Sequence, residues 1–224
     1  LGRDVLSRLI YGAQRTVTIA LLGTGTALIL GLVLAITEVW GGWWSRLADV
    51  VLDVALAFPS LLLALVLVTL LGQGSWQVAL ASGLGQFAPF AVFVRGLVRV
   101  TLISEYVLAS KSMGASKVHL VCYHVWRATW AQAVSYAGMT FVYVLMNSST
   151  LGFLGLGGDP SLPEWGAMLA DGRLSLRSAP WVTLAPAIAL GLLVYSALAL
   201  TDGLSRDERA NRLPLQGVEK RVRR

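Results

Sequence analysis

Charge is scarce in this chain. Only 13% of its 224 residues are Asp, Glu, Lys or Arg, and 56% are hydrophobic, whereas a soluble domain carries roughly 25% charged residues. With a mean hydropathy of +0.69, that scarcity excludes an ordinary soluble fold and points to an integral membrane protein. Period-2 alternation is missing, because the apolar residues come in long runs; the class is therefore all-α rather than a β-barrel. A single cysteine, Cys122, excludes an internal disulfide and a CxxC pair. Its neighbours His119 and His124 lack third and fourth ligands, so packing is preferred to a metal site. No GxxxxGKS/T phosphate loop occurs, so the chain is not expected to bind ATP itself. Serines are plentiful, but none sits in a GxSxG motif or beside a paired base. No basic-then-apolar start is visible at Leu1, so no cleavable signal peptide is expected.

What is present is a series of apolar runs broken by short polar ones. Residues 1–15 are amphipathic, with Val5, Leu6, Leu9 and Ile10 on one helical face, and read as an interfacial segment. A transmembrane domain follows over 16–200. Its first span, 16–37, is free of charge, and Gly23, Gly25 and Gly31 give it a small-residue face suited to close helix packing. Glu38 ends it, and residues 39–44 (VWGGWW) form an aromatic interfacial turn. The second span, about 47–71, is kinked at Pro59; the third, about 76–98, is loosened by Gly83, Gly85 and Pro89. The fourth covers about 128–151 and the last about 181–200. Between these two, the glycine- and proline-rich loop 152–179 should hold a short helix at 165–172. A charged, basic tail covers 201–224.

The interruption at 104–127 is too short and too polar to cross a bilayer. Ser104 can cap a short helix, Glu105 suits its first turn, Lys111 its last, Gly114 its termination, and Ser116 the start of the next helix. Ala109, Ser110, Ser112, Gly114 and Ala115 are small enough for close approach by a partner, while Tyr106, Val107 and Met113 offer apolar contact. Composition alone divides evenly between such a docking element and a basic loop held at anionic headgroups.

Charge placement sets the topology. The net charge of +6 is a matter of clustering rather than a nucleic-acid signal. With 104–127 inside, thirteen Lys and Arg lie inside and five outside, so five spans put the C-terminus in the cytoplasm and a sixth span is expected upstream. Asp49 and Asp53, spaced i,i+4, and Arg95 and Arg99, likewise spaced, mark the cytoplasmic ends of adjacent spans. Inter-helix ion pairing is the simpler reading and an inner gate the sharper one. Gln86, Asn147, Ser148, Ser149 and Thr150 are polar residues within spans, which face either a translocation path or another helix.

Five segments in order carry a resemblance. They are Leu1 through Gly12; Asp53 and Phe58-Pro59-Ser60-Leu61-Leu62-Leu63-Ala64; Glu105-Tyr106-Val107 with Gly114-Ala115-Ser116; Leu151 through Gly157 with Glu164-Trp165-Gly166-Ala167-Met168-Leu169; and Asp202-Gly203-Leu204 with Arg206-Asp207. The chain resembles the inner-membrane permease subunits of binding-protein-dependent ABC importers, most of all the C-type permease of dipeptide, oligopeptide and nickel importers. It departs at Leu108-Ala109-Ser110, where the family has Glu-Ala-Ala, and at Trp126-Arg127, where it has Leu-Pro. The resemblance implies a type I permease fold, a multi-pass subunit of a bacterial or archaeal inner membrane and a non-catalytic role. It implies a paralogous permease as partner, two cytoplasmic ATPase subunits that hold ATP and Mg, and an external solute-binding protein. The coupling residues would be Glu105, Tyr106, Ala109, Ser110, Met113, Gly114, Ala115 and Ser116, with contacts altered at the departures. The chain itself would hold no cofactor. Peptides, nickel or metal chelates, glutathione and opines are the solutes that similar permeases handle. A stand-alone channel, an ion-gradient transporter and a membrane scaffold are the competing classes; clear inverted repeats, which would favour the gradient carrier, are not visible.

Overall fold

The computed structural model describes residues 4–159 and 161–222, with side chains described as far as 203. The described residues are almost wholly helical. Helix α1 is Val5–Trp40, started by Asp4, whose carboxylate accepts from the backbone N–H groups of Leu6 at 3.0 Å and Ser7 at 3.3 Å. At 36 residues it is about 54 Å long, longer than a bilayer's hydrocarbon core. The segment 1–15 is therefore not a separate element: from Val5 it forms the first turns of α1. Its expected single face is also divided, since Leu6 and Ile10 are exposed while Leu9 packs beneath Trp165 and Met168. Glu38 does not end the helix, which runs two residues further to the turn at Gly41.

The second span is not one kinked helix. Helix α2 (Gly42–Leu56) and helix α3 (Ser60–Leu71) meet at 92°. Pro59 explains the break: it donates no backbone hydrogen bond and disfavours the helical conformation at Phe58. Helix α4 is Ser75–Leu102 and accommodates Pro89 within its length. Short helix α5 (Glu105–Ser112) and the single turn α6 (Lys117–His119) lead into a π-turn, Leu120–Val125, and then helix α7, Trp126–Phe153. Helix α8 is Trp165–Gly172, the short helix expected in the loop. Helix α9, Trp181–Val222, continues through the residue-201 boundary expected for the tail. The tail's side chains from 204 onward, like Leu1, Gly2 and Arg3, lie outside the described residues.

Helices α1 and α4 form the central pair and run parallel. A methyl added at Gly23 would meet Ala79, and one at Gly31 would meet Phe90 and Ala91, so the register advances in the same direction along both. Two parallel helices need a return crossing between them, and α2 with α3 provides it. Gly25, expected on the same contact face, points into open space instead. Among the described residues, three helices are long and apolar enough to cross a membrane, α1, α4 and α9, and there are four spans if the bent α2–α3 pair is counted as one. Helix α7 matches α4 in length, 28 residues each, and packs against α1, α4, α8 and α9. It falls short in apolarity because its buried face carries Thr129, Thr140, Ser148 and Ser149.

One core cluster joins Ala35, Val39, Phe90, Val94 and Val98 to Val107, Leu120 and Val125 at the α5 end of the bundle. Two more, around Val78 and Leu151 and around Trp165 and Leu145, seat the α8 end.

Candidate functional site

The α5 end is built on a short helix with two unlike faces. Val107 is completely buried among Val94, Val98, Leu120 and Val125. Ser110 is buried too, with its Oγ 3.1 Å from His124 Nε2. These two residues hold α5 to its own chain, so neither supplies the outward contact expected of it. The outward face is Glu105, Tyr106, Leu108, Ala109 and Met113, with Met113 82% exposed. Gly114 and Ser116 are exposed beyond it, and Ala115 is half-buried. Ser104 occupies the cap position, but its hydroxyl donates to Thr101 O at 2.6 Å instead of accepting from the helix. Ser116 caps as expected, accepting from His119 N at 3.2 Å. Lys111 donates to Leu102 O at 3.3 Å and Lys117 to Trp40 O at 2.9 Å, tying this stretch to the ends of α4 and α1.

Gly114 sits at φ +85°, and a methyl there would meet nothing within 4 Å. Substitution therefore brings strain without crowding, worth about 1–2 kcal/mol for an ordinary L-residue. Gly114→Ala should loosen the α5–α6 turn by that amount, whereas Gly114→Asn, which tolerates the left-handed region, should lose less. Thermal unfolding of the two purified variants checks the order.

Beside this stretch, the gate candidates resolve into an ion network with a member the sequence reading passed over. Glu38 of α1 accepts from Arg95 Nε at 2.8 Å, from Arg95 Nη2, and from Arg99 Nη2 at 2.7 Å. Asp49 of α2 pairs with Arg95 at 2.9 Å and Arg99 at 3.2 Å. Arg95 also donates to Ser45 O at 3.1 Å. Two acids and two guanidiniums thus neutralise one another across three helices, with the Arg95 side chain only 3% exposed. Asp53 stays outside: it is exposed and makes no ion pair among the described residues. Sequence did carry a signal for Glu38, the first charge after the 22 uncharged residues of the first span.

The polar residues expected along a path separate likewise. Gln86 is buried and donates to Ser60 Oγ at 3.0 Å, fastening α4 to the start of α3 just past the broken joint. Ser148 and Thr150 donate to carbonyls of their own helix, Leu145 O at 3.0 Å and Met146 O at 2.8 Å. Ser149 is buried, and its carbonyl abuts Gly166 of α8. Asn147 keeps an amide nitrogen without a partner among the described residues. A groove of about 680 Å³ lies elsewhere, between Tyr11, Arg15, Ile19, Trp76 and Leu162, and none of these path candidates lines it.

At the α8 end, Arg15 gathers three segments. It donates to Ser75 Oγ at 2.6 Å, to Gly157 O at 2.9 Å and to Leu162 O at 3.0 Å. Trp165 donates from its indole to Leu9 O at 2.9 Å and from its backbone to Thr16 Oγ1 at 3.1 Å. The loop 152–179 is thus packed onto α1 and α4. Glu164 starts α8, accepting from Gly166 N at 2.9 Å and Ala167 N at 3.1 Å. Burial pushes its carboxyl above the ordinary glutamate range, against the opposing pull of those two N–H groups and of Arg15. The folded state consequently binds this proton more tightly than the unfolded state. Its contribution to stability is full below the unfolded pKa and is lost as pH rises through the folded one. Glu164→Gln keeps an acceptor for the cap and removes the buried charge. The variant should lack that component, so its melting temperature should fall less than the parent's between acid and neutral pH. Parallel melting curves across that range test it. Arg15 did not stand out in sequence, although it is the last charge before the first span; Glu164 was named only as part of a resemblance segment, although it directly precedes the short helix.

A bundle of apolar helices carries a short helix with a polar, outward-facing side on one end. The comparisons fix the class. The description "Binding-protein-dependent transport system inner membrane component" matches residues 27–209. The chain belongs to that family and is a permease subunit. It is 33% identical to the dipeptide transport system permease protein DppC of Alkalihalophilus pseudofirmus over 91% of this chain and 67% of that one. It is 36% identical to the glutathione transport system permease protein GsiD of Escherichia coli over 91% of this chain and 68% of that one. Among solved structures, an inward-facing MetNI methionine ABC transporter chain superposes with a TM-score of 0.75 at 16% identity, covering 92% of this chain and 99% of that one. A chain of an amino acid ABC transporter with histidines gives 0.65 at 17% identity, covering 94% of this chain and 100% of that one. These two establish the fold, the type I permease architecture expected from sequence.

Proposed function

We propose that the chain forms half of the path of an ATP-driven importer for short peptides or a peptide-like thiol such as glutathione. The permeases named for dipeptide and glutathione transport support that solute class. A paralogous permease supplies the other half, an external binding protein delivers the solute, and two ATPase subunits bearing ATP and Mg engage the α5 end. The excess of Lys and Arg around that end supports its cytoplasmic placement, with the α8 end outside and the C-terminus in the cytoplasm. The observation that carries the coupling role is α5 itself, with Val107 and Ser110 locked into the bundle and Tyr106, Ala109 and Met113 presented outward. Part of the force reaches the bundle through Val107, and the neutral Glu38–Asp49–Arg95–Arg99 network keeps α1, α2 and α4 moving as one.

Purification of the tagged chain from its native membrane should bring down a second permease and ATPase subunits. The reconstituted complex should accumulate dialanine or glutathione only with ATP and the binding protein. Activity of the isolated chain without ATP would refute the reading in favour of a channel.

A further inference from the structure

Between α6 and α7 the helix widens into the π-turn Leu120–Val125. Its closing bond runs from Trp126 N–H to Val121 O, five residues back. An α-helix would set residues five apart about 140° from each other around the axis, at 3.6 residues per turn. The wider turn brings Leu120 and Val125 onto one side, where both are buried in the cluster that holds Val107. Val121 packs against the same cluster, while Cys122 and Tyr123 are exposed. His124 reaches back to Ser110, its ring lies 5.7 Å from Tyr106, and it meets His119 edge-on. Lys117, just before the turn, is fixed to the end of α1, and Thr129, just after it, is buried in α7. The π-turn is thus the one stretch between two fixed points whose backbone register differs from the helices on either side, and turns of this kind concentrate at functional sites.

We infer that His124 is a positioning residue for energy coupling: through its bond to Ser110 it makes the π-turn follow α5, and so passes a displacement of α5 into α7. The inference rests on the proposed importer function.

The test uses the full complex in vesicles, with cysteines of the partner subunits removed and a nitroxide on Cys122, which is exposed within the π-turn. Mg-ATP is the probe. The parent complex should hydrolyse ATP and change the nitroxide spectrum when nucleotide binds. Ser110→Ala and His124→Ala should keep hydrolysing ATP but lose about two- to tenfold of that spectral response, the range that one neutral hydrogen bond spans. His124→Gln, whose amide nitrogen can occupy the place of Nε2, should restore it, and the double variant should be no worse than either single one. A parent-sized response in both alanine variants would overturn the inference. So would losses that multiply in the double variant, or failure of His124→Gln to restore the response. Absence of ATP hydrolysis by the parent complex would strike the importer reading itself.

Discussion

Replacing Glu38 with glutamine is expected to destabilise the protein by about 3–5 kcal/mol, the range for removing one partner from a buried ion pair. One carboxylate oxygen of Glu38 serves both guanidiniums and the Ser45 hydroxyl, which donates to it at 3.1 Å. Glutamine offers a neutral acceptor or, turned over, an amide that faces two cations with its own donors. Arg95 is then left almost completely buried with Asp49 as its remaining acid, and Asp49 is itself about half exposed. Arg99 is 56% exposed, so removing it should cost much less, about 0–1 kcal/mol as for other solvent-exposed pairs. Asp53→Asn should change stability by no more than about 0.5 kcal/mol, since a surface residue outside any network has little to lose. Unfolding of the purified chain in mixed micelles of increasing SDS content measures all three. Equal midpoints for the Glu38 and Asp53 variants would show that the network contributes nothing beyond solvated charge.

The contrast between Asp49 and Asp53 shows where sequence was legible. Their i,i+4 spacing places both on one helical face, and that much is correct. It does not reveal that Pro59 breaks the span so sharply that α2 becomes a separate short helix, whose position against α4 selects Asp49 alone. The same holds for α5. Capping chemistry at Ser116 and the stop at Gly114 are local effects, and local chemistry predicted them. Which of Val107, Ser110, Tyr106 and Met113 turns inward depends on the cluster formed with Val94, Leu120 and Val125, residues distant in sequence. The π-turn was invisible for a related reason: LVCYHV has no composition that distinguishes it from an α-helix, and only the demand that both Leu120 and Val125 be buried on one side sets its register. The long apolar helices α1, α4 and α9 were legible because apolar run length is a property of each segment by itself. Helix α7 was harder to read, since its buried face mixes Thr129, Thr140, Ser148 and Ser149 with Val144 and Leu145.

Gly83→Ala should destabilise the bundle by about 1–3 kcal/mol relative to Gly25→Ala, the usual range for overpacking a tightly filled site. The comparison is chosen to cancel a second effect. Both glycines lie inside helices, so alanine gains roughly the same ~1 kcal/mol of helix propensity at each. What differs is the space. A methyl at Gly25 meets nothing within 4 Å, whereas one at Gly83 would run into the backbone carbonyl of Gly23 and stand 2.9 Å from Thr26 Cβ. A carbonyl locked in a helix cannot rotate aside, and Gly23 has no slack of its own, since a methyl there would lie 2.7 Å from Ala79 O and from Val144 Cγ1. Relief can come only by moving α1 and α4 apart, and small residues at a membrane helix crossing exist to allow the opposite. The displacement would be felt along the whole parallel pair, including Gly31 against Phe90 and, further on, the Glu38–Arg95 contact. Gly83→Ala should therefore also lower ATP-driven uptake by the assembled complex, and Gly25→Ala should leave it unchanged. Equal SDS midpoints and equal uptake for the two variants would mean that the close approach of α1 and α4 is not what holds the bundle together.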